Sequence, residues 1–233
     1  MNRRQRIRAA ASWLLLLGPA SGQAPAQEPK PAASPAPARI VFIKEFPGSS
    51  PPYYAVSLTE EGATEYASAP DDPQPLRFRL SESLTRQVFQ IAARLNHFQG
   101  APLEARRKVA SMGKKTLRYE GGGQRHEASF NYSENQDAVT LANLFETISI
   151  TQQHLLQLER LARFDRLGVM KQLLQIEISM NKGELVEPVQ FISLLEEISG
   201  NSQYLHIARE RAARLLERIR KGTHTANLIP GQS

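Results

Sequence analysis

Between residues 40 and 132 the apolar positions mostly recur at two-residue spacing, the period of a strand with one buried face. Residues 40–46 read as a first strand, and the run Pro47-Gly48-Ser49-Ser50-Pro51-Pro52 as a loop. Residues 53–59 and 63–68 form a hairpin around Glu60-Glu61-Gly62. Leu76, Phe78 and Leu80 alternate with Arg77 and Arg79, as on a half-buried strand. The period then changes. Leu84, Val88, Ile91, Leu95 and Phe98 follow at spacings of four and three, which predicts a helix capped by Ser81 or Ser83 and ended by Gly100-Ala101-Pro102. Lys115, Leu117 and Tyr119 mark one face of another strand, and Ala128, Phe130 and Tyr132 one face of its partner. Gly121-Gly122-Gly123 supplies positive-φ turn positions between them.

After Ser133-Glu134-Asn135 the period is helical throughout. Leu144, Ile148, Thr151, Leu155, Leu158 and Ala162 predict one long amphipathic helix. A second spans about 166–180 and stops at Asn181-Lys182-Gly183. A third begins near Pro188 and breaks at Gly200-Asn201. A fourth carries Leu205, Ala208, Ala212, Leu215 and Ile219 and ends before Gly222. The expected fold class is α+β: N-terminal antiparallel strands with one packed helix, at 40–133, followed by a C-terminal bundle of about four helices at 134–222.

The ends change the picture of where the chain works. Arg3, Arg4, Arg6 and Arg8 precede an apolar run, and Gly18-Pro19-Ala20 and Ala24-Pro25-Ala26 offer small-x-small cleavage sites. That is the plan of a signal peptide over 1–26, with a run shorter than the roughly 20 residues that span a bilayer. Arg3-Arg4 leaves twin-arginine export open beside the general route, and an uncleaved anchor is the competing reading. Residues 27–39, QEPKPAASPAPAR, read as a Pro/Ala-rich linker, and 223–233 as a disordered tail. The formal net charge is +6, but 25 basic against 23 acidic residues remain once 1–26 are removed, a net +2. Such a chain has no overall electrostatic drive toward nucleic acid. The absence of cysteine excludes disulfides, thiolate catalysis and a cysteine lipid anchor.

The plan of strand, hairpin, helix and second hairpin over roughly residues 40–132 resembles small secreted bacterial α+β domains of unknown function. It is carried by Tyr54-Ala55-Val56-Ser57-Leu58, Gly62-Ala63-Thr64-Glu65-Tyr66, the helix after Ser81, and the strands 115–119 and 126–132. In that class a Cys-Pro pair often precedes the first hairpin; here Ser50-Pro51-Pro52 stands in its place. The resemblance implies a fold and no activity. The C-terminal helices resemble no family.

No nucleophile elbow, P-loop or dinucleotide fingerprint is present, and the five histidines are dispersed. No cofactor, metal or catalytic residue is therefore assigned. Gly122-Gly123-Gln124 matches the GGQ tripeptide of peptide-chain release factors, but the rest of that pattern is missing and it falls in a hairpin turn. The main charge feature is the last helix, where Arg209, Arg211, Arg214, Arg218, Arg220 and Lys221 face only Glu210 and Glu217. It reads as a solvated face or a contact for an acidic partner. Arg160, Arg163 and Arg166 form a second cluster, and Tyr53-Tyr54 after Pro51-Pro52 an aromatic surface candidate.

These readings converge on an exported protein, periplasmic or extracellular, acting as a non-enzymatic interaction or scaffold module. Its partner would be an envelope protein or an anionic envelope component, with a homodimer as a further option and no transmembrane span in the mature chain. The alternative is a secreted hydrolase with a site between the two halves, which a convergent Ser, His and acid cluster in that cleft would favour.

Overall fold

The computed structural model describes residues 37–107 and 109–227. The expected signal peptide, the linker as far as residue 36 and the last six residues of the tail lie outside them. Six strands form one antiparallel sheet: β1 (Arg39–Glu45), β2 (Tyr53–Thr59), β3 (Ala63–Ala67), β4 (Leu76–Arg79), β5 (Lys114–Gly121) and β6 (Gln124–Phe130), in the order β4-β3-β2-β1-β5-β6. Register sorts the faces. Ile40 lies opposite Leu58 and Tyr119, and Phe42 opposite Val56 and Leu117, so the large apolar side chains share one side. The other side carries ion pairs: Arg39–Glu120 at 2.5 Å, Arg77–Glu65 at 2.7 Å and Arg118–Glu127 at 2.8 Å.

Helix α1 (Glu82–Arg94) covers the apolar face with Thr85, Val88, Ile91 and Ala92. Ser81 caps it by accepting a bond from the Leu84 N–H at 3.3 Å. The apolar spacing extends this helix to Phe98, but the chain turns left-handed at Asn96, His97 and Phe98, with φ of 51°, 49° and 68°. Phe98 still reaches the core, from a tight turn rather than from the helix stripe.

Helix α2 (Gln136–Phe164) has 29 residues and is about 44 Å long. The Asn135 side chain caps it through the Ala138 N–H at 3.1 Å. Its first half packs on the sheet beside α1, so two helices cover the face for which sequence periodicity assigned one. Phe145 stacks on Phe42 at 5.3 Å, nearly parallel, and Leu141 and Ile148 are fully buried. Its second half gives Leu158 and Ala162 to another core, shared with α3 (Val169–Asn181), α4 (Ile192–Gly200) and α5 (His206–Asn227). A short 3-10 turn, Pro188–Phe191, leads into α4. The strand-rich part ends at residue 133, but its core extends along α2 to Ile148.

The segment before that turn straps the two cores together. Leu185 packs on the helical core and Val186 on the sheet core. The Val186 N–H donates to Thr151 Oγ1 at 3.1 Å, and the Ser81 N–H donates to Glu187 Oε1 at 2.7 Å. At the far end α5 continues through Gly222 to Asn227, so residues 223–227, expected in the tail, are helical. One interior glycine costs about 1 kcal/mol, too little to stop a long packed helix, and Pro230 is the first strong breaker.

Candidate interaction surface

Of the cations picked from α5, most already have partners. Arg211 lies 3.0 Å from Glu177 and 3.5 Å from the Met170 carbonyl, bracing α5 against α3. Arg220 pairs with Glu196 of α4, and Lys221 with Glu217 at 2.6 Å. Arg218 donates to Asn181 Oδ1 at 2.8 Å, and Arg209 lies 3.4 Å from His206 Nδ1. Arg209, Arg214 and Arg218 meet no carboxylate among the described residues, and of these Arg214 and Arg218 are exposed. Half of the six cations picked from α5, Arg211, Arg220 and Lys221, are therefore paired with carboxylates. Of the aromatic pair, Tyr54 is buried between Phe42 and Tyr66, and burial raises its hydroxyl pKa against a hydrogen bond from Ser149. Tyr53 points to the other face of the sheet and is half-buried.

The accessible feature lies at the end of the bundle. Phe164, the last residue of α2, is 82% exposed, and Leu167, in the turn before α3, is 71% exposed. The spacing predicts a helix from about Arg166, but Asp165 makes a turn instead: its Oδ1 accepts the Gly168 N–H at 3.1 Å. The α4–α5 turn abuts this one. The Tyr204 hydroxyl donates to the Ala162 carbonyl at 3.3 Å, and the Arg166 guanidinium lies 5.9 Å from the Tyr204 ring. Leu205, the last residue of that second turn, and Ile207, in the first turn of α5, are 45% and 49% exposed. Four exposed apolar side chains thus lie in or next to two neighbouring turns. Around them Arg160 and Arg163 are exposed, with no carboxylate partner among the described residues. Glu159 and Glu197 line a shallow depression beside Arg163. Sequence reasoning found these arginines and missed Phe164 and Leu167, because only the position of the turn tells that neither is core.

A Ser-His-acid cluster does form, between α2 and α3. His154 Nε2 lies 3.0 Å from Ser179 Oγ, which lies 3.4 Å from Glu184 Oε2. Its direction decides what it can do. Gln172 Nε2 donates to the His154 carbonyl at 3.3 Å and faces Nδ1 at 3.0 Å, so Nδ1 accepts and Nε2 carries the proton. The chain of donation runs Gln172 to His154 to Ser179 to Glu184. The imidazole gives a hydrogen to the serine and cannot take one from it, the reverse of nucleophile activation. Ser179 is also buried. Burial lowers the His154 pKa, with Glu184 opposing.

The cleft between sheet and bundle is real, about 590 Å³, lined by Ser81, Met180, Glu187, Pro188, Val189, Arg218, Ile219 and Gly222. No nucleophile and base meet there among the described residues. The Ser81 hydroxyl caps α1, and Glu187 holds the Ser81 N–H. Gly122-Gly123-Gln124 forms the β5–β6 turn, with φ of 58° and 75° at the two glycines and Gly121 paired with Gln124. Two positive φ values make it a tight hairpin turn, for which glycine is needed. Among the described residues no group of three or more His, Cys, Asp or Glu is placed to hold a metal, and no helix is long and apolar enough to cross a membrane. No protein-family model matches the chain, and no curated protein is similar to it.

Proposed function

We propose that this chain is an exported, non-enzymatic interaction module of a bacterial envelope, docking through the end of its helical bundle. One observation carries the reading: Phe164 and Leu167 stand 82% and 71% exposed in a turn that abuts the exposed Leu205 and Ile207. Scattered surface leucines need no explanation, but apolar side chains gathered on adjoining turns mark an interaction site. The signal-peptide pattern at 1–26 supports an envelope setting. The direction of the His154–Ser179 hydrogen bond counts against the hydrolase alternative.

The test is cross-linking in intact cells of tagged full-length chain and of its Phe164→Ser/Leu167→Ser variant. Mass spectrometry then reads both the partners and the mature N-terminus. The reading predicts an N-terminus between about Ser21 and Gln27, and an envelope component that the variant fails to recover. An intact Met1 with cytosolic partners, or the same partners for both chains, would contradict it.

A further inference from the structure

We infer that the surface docked by the bundle end is a lipid bilayer carrying anionic headgroups, an inference that rests on the reading of that end as the docking surface. Exposure is the first argument. Phe164, at the end of α2, and Leu167, in the turn after it, are both largely exposed, so they can meet an interface from outside rather than line a cavity. Charge is the second. Residues 159–171 hold Arg160, Arg163, Arg166 and Lys171 against Glu159 and Asp165, with Glu197 of α4 also lining the depression beside Arg163. The outer face of the sheet is as rich in arginine, but there Arg39, Arg77 and Arg118 each meet a glutamate. Cations left without carboxylates beside exposed apolar side chains are the complement of a phosphate-lined apolar layer.

The physics of such an interface fits each part. An aromatic ring and a leucine settle at the boundary between headgroups and acyl chains. Arginines lay their stems along the apolar zone and keep the guanidinium at the phosphates, which its planar fork matches. Each cation near an anionic surface strengthens binding about fivefold. Of the α5 cations, Arg211, Arg220 and Lys221 already face Glu177, Glu196 and Glu217.

The chain can be tested without its leader. The residues of both cores run from Ile40 to Ile219, so a chain from Gln27 keeps both complete. Trp13 is the only tryptophan, so that chain has none, and Phe164→Trp becomes a single reporter at the tip. It is titrated with vesicles of phosphatidylglycerol in phosphatidylcholine, and of phosphatidylcholine alone, with circular dichroism checking the fold of each variant. The proposal expects a blue shift on the anionic vesicles only, suppressed near 1 M salt. Adding Arg160→Gln, Arg163→Gln and Arg166→Gln should weaken binding about 100-fold, and Leu167→Ser should weaken it with the charges intact. A folded chain that shows no shift, or equal shifts on both vesicles, overturns the proposal. If the full-length chain still cross-links through its tip to an envelope protein in cells, the lipid assignment fails and the docking surface stands; if neither occurs, both fall.

Discussion

At the scale of single residues, two polar groups inside the protein have measurable consequences. His154 is held neutral between Gln172 and Ser179, and burial lowers its pKa from the usual 6.5. The unfolded chain therefore binds a proton at higher pH than the folded one. Its contribution to stability is fully present above about pH 6.5 and is lost as pH falls through the lower folded value. Denaturant midpoints should fall between pH 7.5 and pH 5, and the fall should shrink in His154→Gln. An unchanged pH dependence in that variant would refute the account of the α2–α3 contact. The second group is Glu146, 3.0 Å from Lys44 and 4.0 Å from Lys115, the latter only 8% exposed. Burial lowers the Lys115 pKa and Glu146 raises it again. Glu146→Gln leaves two amines facing each other in the core edge, and should destabilise by about 2 kcal/mol in urea unfolding.

At the scale of elements, the strand and helix periods were legible because burial is one-sided. Alternation located β1 to β6, and the 3-4 spacing located α1 to α5, each within a few residues. What was not legible were the interruptions. The left-handed turn at Asn96, His97 and Phe98 lies in residues that fit the preceding helix period. The turn at Asp165 leaves outside Phe164 and Leu167, which lie between the apolar stripes of the two helices predicted there. A pattern reports which side chains could be buried, and only the turn position decides which are. The same holds for charge, since Arg211 and Arg220 of α5 are paired with Glu177 and Glu196 from other helices, invisible to local spacing. One turn was readable in full. Gly122 and Gly123 both take positive φ, so Gly123→Ala should cost about 1 kcal/mol by placing a Cβ in the left-handed region. A stability unchanged by that substitution would contradict the turn.

At the scale of the whole molecule, α2 is the common wall of both cores. Phe145 serves the sheet and Leu158 the helices, fewer than four turns apart. Phe145→Ala and Leu158→Ala should each cost about 3 kcal/mol, and each should lower one shared calorimetric transition rather than one of two. Two separable transitions would show that the cores melt independently. By contrast Phe164→Ser/Leu167→Ser touches neither core, and its stability should stay within about 0.5 kcal/mol. Stability and docking are therefore assigned to different residues, which permits a direct test. A photo-cross-linking residue is placed at 164, and in separate cells at the exposed Glu127 of the outer sheet face. The account predicts cross-links to an envelope component from 164, absent from 127. Equal cross-linking from both positions, or none from 164 while the folded protein accumulates, would contradict the claim that the bundle end is the working surface.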